Sequence, residues 1–521
     1  MANSPAVSDN PHYLGGIGDW LRHNRDVRPE KTALVVDDKR VNYRALDSRT
    51  NQFAHFLHEL GVEKGDRVAI LMHNSIEFIE ALFGCAKLGV VVVPVNYRLG
   101  VGEIEFILND TESKVLIAGA LFKQQLTVLE RACACLQHIV ISVTSEGLGG
   151  MASSKEVNYQ DAFHFGTSDR KVDVAFADPL IIMYTSGTTG SPKGAVLTHQ
   201  SITWNIINTM LGPASMEYSD VVLGVAPLFH IGGLNIHVLP ALYIGATVVL
   251  QNKFEPLDAL QAIVRERVSI LFLVPAMWRA LSQVLEFDDF DLSSLRKLAS
   301  GGAPCPVSVI RFYQDRGLKF SEGFGMTEGS PGVCMLDDES AVRKHGSVGK
   351  PKPNIQVRIV NETDDDVPDG ATGELVVRGP SIFDGYWRRP EATREAFRGG
   401  WFHTGDLAMR DDEGFYYIVD RKKDMLISGG ENVYPAEIEK VLLKHEKIYE
   451  AAVIGVPDDQ WGEVPKIIAM IQGDHPPTLE ELQEFCSRHL ARFKIPRYLE
   501  IVDDFPRTAT GKVKKRELRS S

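Results

Sequence analysis

Between Thr185 and Gly194 the chain reads Thr-Ser-Gly-Thr-Thr-Gly-Ser-Pro-Lys-Gly. Glycines let backbone N–H groups approach a ligand closely, and hydroxyls with a lysine are suited to phosphate oxygens. No acidic residue interrupts the run, so Thr185, Ser186, Gly187, Thr188, Thr189, Gly190 and Lys193 form a candidate phosphate grip. It is not the loop of P-loop nucleotidases: counted from Gly187, the place of that pattern's second glycine holds Pro192. A flexible Ser/Gly linker has similar composition, but a linker does not usually follow a buried strand, and Pro179-Leu-Ile-Ile-Met-Tyr184 reads as one.

Four more stretches carry chemistry. Gly323-Phe-Gly-Met-Thr-Glu328 starts like a dinucleotide fingerprint, but Glu328 stands where that pattern needs a small residue. A carboxylate near phosphates makes sense with Mg²⁺ between them, so Glu328 is the candidate metal ligand. Phe324 offers a face for a base to stack on. In Trp401-Phe-His-Thr-Gly-Asp406 an aspartate beside a glycine turn suits ribose hydroxyls, and Arg421 follows 15 residues later. Lys512 follows a Thr-Gly turn in the basic tail and can present a point charge. His230 sits in Pro227-Leu-Phe-His-Ile-Gly-Gly233; only its near-neutral pKa recommends it as a catalyst, so it is read as pocket lining.

These residues need a scaffold. Apolar runs at 67–72, 90–95, 114–118, 138–142, 221–225, 246–250 and 269–274 alternate with helical spacing at 43–60 and 76–88. That rhythm predicts an α/β fold with a parallel-rich sheet covered by helices. Ligands of such sheets bind beyond the carboxyl ends of the strands, where the glycine loop falls. From about residue 346 the texture changes to short strands at 355–360, 373–378 and 414–419, predicting a barrel-like β subdomain over 346–422. Asp420-Arg-Lys-Lys-Asp424 reads as an exposed joint. Beyond it, a helix from Pro435 and strands at 451–456 and 466–471 predict a small α+β domain.

Length and composition fit this plan. At 521 residues the chain exceeds a single core. A net charge of -13 argues against general nucleic-acid binding. No run reaches the roughly 18 apolar residues of a membrane span. The start, Met1-Ala-Asn-Ser-Pro, is not that of a signal peptide, and the end, Arg519-Ser-Ser521, is not a peroxisomal address. Six scattered cysteines, with Cys133 and Cys135 lacking metal-spaced partners, point to a reducing cytoplasm.

Taken together and in order, the five stretches resemble the ATP-dependent adenylate-forming superfamily, which includes acyl-CoA synthetases, luciferases and peptide-synthetase adenylation domains. The resemblance runs from about Pro29 to Lys515, and Ser428-Gly-Gly-Glu-Asn-Val-Tyr-Pro435 is most similar to the fatty-acyl and aryl CoA ligases. It implies a large N-terminal domain, 1–422, and a small mobile C-terminal domain, 423–521. It implies that a carboxylic acid attacks the α-phosphorus of ATP, releasing pyrophosphate, and that coenzyme A then displaces AMP. By the same resemblance the Thr185 loop holds the β- and γ-phosphates. Gly302, Ala303, Pro304, Phe324, Gly325 and Thr327 surround the adenine end, and Asp406 and Arg421 take the ribose. Glu328 holds Mg²⁺, while Lys512 with Thr185 assists adenylation. His230 and Gly232 border the acyl pocket, Lys423 is the hinge, and Gly429 lines the pantetheine channel. The family often has tyrosine or tryptophan at Phe324; stacking survives that change, but a hydroxyl contact does not. The expected substrate is a hydrophobic carboxylic acid, a fatty acid first. The alternatives are an aryl or alicyclic acid, or transfer to a separate carrier protein.

Overall fold

The computed structural model describes residues 15–142, 155–170, 172–185, 192–213, 215–428, 431–458, 461–473, 475–507 and 512–519. These fall into two compact units, one of residues 1–356 with 377–400 and the other of 357–376 with 401–521.

The first unit is built on two sheets. One has eight strands, in the order 385–386, 193–198, 179–185, 91–94, 67–71, 115–119, 138–142 and 156–158. From Pro179–Thr185 outward its neighbours are parallel, as the strand–helix rhythm requires. Only Lys193–Thr198 returns antiparallel along Pro179–Thr185. The helix Ile76–Leu88 shows why these segments fold as they do. Ser75 accepts the Phe78 N–H at its start, and Gly89 closes it with a left-handed φ of 69°. Between the caps Phe78, Ile79, Leu82 and Phe83 are fully buried, each contributing about 1.5–3 kcal/mol of apolar burial.

The second sheet has nine strands, in the order 350–351, 332–336, 320–325, 297–301, 270–273, 221–224, 247–250, 32–36 and 39–42. Its parallel centre ends at Phe320–Gly325, against which Gly332–Leu336 turns back antiparallel.

In the second unit, Gln356–Val360, Gly373–Arg378, Trp401–Arg410 and Tyr416–Arg421 form the core of a small sheet. Residues 346–422 are not wholly β, because the helix Pro390–Ala396 interrupts them. A further sheet joins the antiparallel strands Ile448–Asp458 and Gly462–Ile471, with Tyr498–Ile501 parallel to the latter. The helices Pro435–Leu442 and Leu479–Ser487 pack on it through Ile438, Leu442 and Leu482.

Two sequence expectations are corrected here. Asp420–Asp424 is solvated only in its middle, at Lys422 and Lys423, since Asp420 and Asp424 are both buried. Asp420 accepts the N–H groups of Ala436 and Arg421, and Asp424 pairs with Arg519 at 3.0 Å. Charge runs are usually solvated, but here the acids at both ends find internal donors. Asp406 also lies not in a turn but within the ten-residue strand Trp401–Arg410. The glycine signal is local: Gly405 takes a φ of 71° inside the strand.

Candidate functional site

The phosphate segment is anchored where two strands meet. Thr185 ends one strand, Lys193 opens the next, and they are register partners. The Thr185 hydroxyl donates to the Lys193 carbonyl at 3.5 Å. Ser186, Gly187, Thr188, Thr189 and Gly190 lie outside the described residues.

Glu328 reaches this corner through a residue that sequence reasoning missed. The Tyr386 hydroxyl donates to Glu328 Oε1 at 2.9 Å, and the Lys193 ammonium sits 5.3 Å from the centre of the Tyr386 ring. Tyr386 is held there because Gly385–Tyr386 adds to the edge of Lys193–Thr198. The Phe383 N–H also donates to the Glu328 carbonyl at 2.8 Å. One carboxylate, oriented by a phenol beside the Lys193 ammonium, fits Mg²⁺ that takes its other ligands from phosphate and water. Among the described residues no cluster of three or more acidic, histidine or cysteine side chains offers a fuller metal cage. The only sequence signal for Tyr386 is its place in Gly385-Tyr-Trp387, an aromatic pair after a glycine.

Gly302, Ala303 and Pro304 follow the strand Lys297–Gly301, whose parallel neighbour is Phe320–Gly325, with Gly301 opposite Gly323. The exposed 302–304 loop and the half-buried Phe324 therefore emerge side by side at strand carboxyl ends, where nucleotides bind such sheets. Thr327 and Glu328 follow in a short 3₁₀ turn.

Glu322 fastens this slot. It is buried, and its Oε1 accepts the Cys305 N–H at 3.0 Å, tying the 302–305 loop to the strand that bears Phe324. Burial pushes the Glu322 carboxyl up to about 7, opposed by that hydrogen bond. An acid whose native pKa lies above its unfolded value stabilises most below the unfolded pKa, and stability falls as pH rises toward the native one. Glu322→Gln keeps the acceptor and removes the charge. It should match the wild type near pH 4 and gain stability progressively up to about pH 7, by roughly 2–3 kcal/mol. Thermal denaturation at pH 4.5 and 8 checks this; a variant less stable at pH 8 contradicts it.

In the second unit Asp406 and Arg421 are register partners, with Arg421 Nε 2.7 Å from Asp406 Oδ1. The Thr404 hydroxyl accepts the Asp406 N–H at 3.0 Å and donates to the Leu375 carbonyl at 2.7 Å, fixing the strand that carries Asp406. Lys512 shares their electrostatic environment. Although its side chain is exposed overall, desolvation of the ammonium and then the Arg421 guanidinium lower the amine below the ordinary lysine range, with Asp406 opposing. Lys512 is thus electrostatically coupled to the Asp406–Arg421 pair. Lys423 is exposed in the turn between Tyr416–Arg421 and Leu426–Ser428. Gly429 lies outside the described residues.

His230 precedes the helical turn Ile231–Gly233, its ring 4.5 Å from that of Phe229. Gly232 faces Ile236 and the ring of Phe272, which a Cβ at that glycine would meet at 3.7 and 3.8 Å. Behind it lies a narrow cleft walled by Gly224, Val225, Ala226, Gly233, His237, Val238 and Phe272. His237, which sequence reasoning also missed, is almost wholly buried on the π-helical turn Leu234–Val238. Its signal is a second histidine two helical turns after His230.

With this geometry in hand, comparison with known proteins is informative. The AMP-binding enzyme family matches residues 21–387, and its C-terminal domain matches residues 437–512. A feruloyl-CoA synthase of Amycolatopsis sp. is 39% identical over 506 residues, covering 97% of this chain and 98% of its own. A long-chain-fatty-acid–CoA ligase of Mycobacterium tuberculosis is 38% identical over 508 residues, covering 97% and 98%. The structure of o-succinylbenzoate coenzyme A synthetase from Bacillus subtilis, in complex with ATP and magnesium ion, superposes with a TM-score of 0.84 at 31% identity, covering 96% of this chain and 98% of that one.

Proposed function

The chain belongs to the AMP-binding enzyme family, and from that premise we propose that it joins an aromatic carboxylic acid to coenzyme A through an acyl-adenylate. It is an acid–thiol ligase that uses ATP, Mg²⁺ and coenzyme A. The proposal concerns the acid and the roles of the residues.

What supports an aryl acid is the likeness to the feruloyl-CoA synthase. The sequence expectation leaned to a fatty acid, and relatives include both an aryl and a long-chain ligase. The slot between Gly232 and the Phe272 ring is so narrow that a Cβ there would already touch the ring, and the cleft beyond it has room for about 10 Å³, roughly one water.

In this reading the Thr185 loop and Lys193 hold the phosphates, and Glu328, oriented by Tyr386, holds Mg²⁺. Bound there, the ion would neutralise phosphate charge that otherwise repels the incoming carboxylate. Gly302, Ala303 and Pro304 border the base, with Phe324 stacked on it, and Gly325 and Thr327 complete the slot. Asp406 accepts the ribose hydroxyls while Arg421 holds its carboxylate in place. Lys512 places positive charge on the charge that develops as the carboxylate attacks. Lys423, exposed in the turn after Tyr416–Arg421, serves as the hinge between a domain of 1–422 and one of 423–521, and Gly429 borders the pantetheine. No helix among the described residues is long and apolar enough to cross a membrane. None of the six cysteines is disulfide-bonded, which supports a reducing, cytoplasmic setting.

Pyrophosphate release and thioester formation across a panel of cinnamic, benzoic and straight-chain fatty acids test the choice of substrate. Aryl acids should lead palmitate in kcat/KM by about tenfold or more, since each poorly fitting methylene costs of order 1 kcal/mol; a palmitate optimum overturns the aryl reading. Gly232→Leu, which pushes a side chain into the slot against Phe272, should cut kcat/KM for aryl acids by about 100-fold with the KM for ATP little changed. Unchanged aryl kinetics in that variant count against the slot.

A further inference from the structure

We propose that Asp110, at the end of the helix Val101–Thr111, is a positioning residue for ATP: it fixes the two strand ends, Thr185 and Lys193, that grip the outer phosphates. This rests on the reading of Thr185 and Lys193 as phosphate holders and adds to it the side chain that sets them in place.

Three donors converge on this one residue. The Tyr184 hydroxyl donates to Asp110 Oδ2, and Tyr184 immediately precedes Thr185. Arg389 donates to Asp110 Oδ1 at 2.7 Å, and the Trp387 indole N–H donates to the Asp110 carbonyl at 3.1 Å. Trp387 in turn gives its backbone N–H to the carbonyl of Gly194, the neighbour of Lys193, at 2.8 Å. Asp110 therefore holds the outgoing strand through Tyr184 and the returning strand through Trp387. Those strands are also packed on each other: Tyr184 and Gly194 are register partners, and a Cβ at Gly194 would stand 3.2 Å from the Tyr184 ring.

The surroundings stiffen this clamp. The Asp110 side chain is only 12% exposed, and its contact with Arg389 is charge-assisted. Burial, and then the Asp110 carboxylate, push the Tyr184 phenol above its ordinary range, so it stays a donor under any assay condition. Phe106, on the same helix as Asp110, stands edge-on to the Tyr184 ring at 6.3 Å. Arg388, between Trp387 and Arg389, pairs with both carboxylate oxygens of Glu112 at 2.8 and 2.6 Å. It does so at a φ of 50°, strain that a non-glycine residue keeps only where its surroundings over-determine it. A grip fixed in this way before binding avoids the ordering cost when a triphosphate arrives.

The test compares the dissociation constants of ATP and AMP on the full-length enzyme, because AMP lacks the phosphates that the grip holds. Asp110→Ala should weaken ATP by about tenfold and leave AMP within about twofold. Thioester formation from supplied acyl-AMP should stay near the wild-type rate. Asp110→Asn, which keeps one acceptor oxygen, should recover part of the ATP affinity. Tyr184→Phe removes a single donor and keeps the ring, so it should show the same selective loss at about threefold, and it carries the test if Asp110→Ala does not fold. Equal weakening of ATP and AMP means that Asp110 supports the scaffold in general and overturns the inference, as does unchanged ATP affinity in these variants. Lys193→Ala separates the two layers. If it weakens ATP selectively while the Asp110 and Tyr184 variants do not, only the positioning role falls. If Lys193→Ala also leaves ATP binding unchanged, the phosphate-grip reading falls with it.

Discussion

Lys512→Ala should lose acyl-adenylate formation by about 10²–10³-fold while forming thioester from supplied acyl-AMP at near the wild-type rate. The two half-reactions differ in the charge they develop. In the first, a carboxylate approaches a triphosphate, and the transition state gathers negative charge on oxygens that need a cation. In the second, a thiol displaces AMP, which leaves as a stable anion, and the need is smaller. In the proposed reading Lys512 serves the first task. It lies in one electrostatic cluster with Asp406 and Arg421, the pair assigned to the ribose. Pyrophosphate release and single-turnover thioester formation measure the two steps separately. Equal loss in both would show that Lys512 supports the fold of the cluster and not the adenylation step.

How much of this was legible in the sequence depends on distance along the chain. The helix Ile76–Leu88 and the strands around it were readable because caps, apolar spacing and β-branched runs are local. The Phe324–Glu328 turn and the Asp406–Arg421 pair were also marked by unusual residue types in short stretches. Tyr386 was not, because its partner Glu328 lies 58 positions away and only a strand added to the edge of Lys193–Thr198 brings them together. His237 was missed for a related reason. A histidine in an apolar segment looks like core packing, and only the fold shows that it lines a cleft. Asp420 misled in the opposite direction: five charges in a row read as solvated, yet the carboxylate is consumed by the start of the helix Pro435–Leu442. Local chemistry is written locally, whereas which charges are buried is decided by tertiary neighbours.

The two glycines flanking Phe324 make the sharpest case, since the sequence presents them as equals and the structure does not. A Cβ at Gly325 would stand 1.7 Å from the carbonyl oxygen of Pro331, far inside any contact distance, and both sides of that clash are backbone. A Cβ at Gly323 would meet its nearest neighbour, the Cys334 carbonyl, at 3.7 Å, an ordinary contact. The close approach at Gly325 has a purpose. The Met326 N–H donates to that same Pro331 carbonyl at 2.9 Å, and this folds the segment carrying Thr327 and Glu328 back onto its own strand. Gly325→Ala must therefore separate the two backbones, break that hydrogen bond and shift Glu328 away from Tyr386. We expect a stability loss of about 3 kcal/mol, at the upper end for overpacking because no side chain can rotate away. Adenylation should fall by about 100-fold or more, the scale of an ångström-sized misplacement of catalytic groups. Gly323→Ala should fold normally and retain adenylation within a few-fold, making it the internal control. Thermal denaturation and pyrophosphate release on the pair decide the matter: similar behaviour of the two variants would mean that the approach of Pro331 to Gly325 is not what holds Glu328 in place.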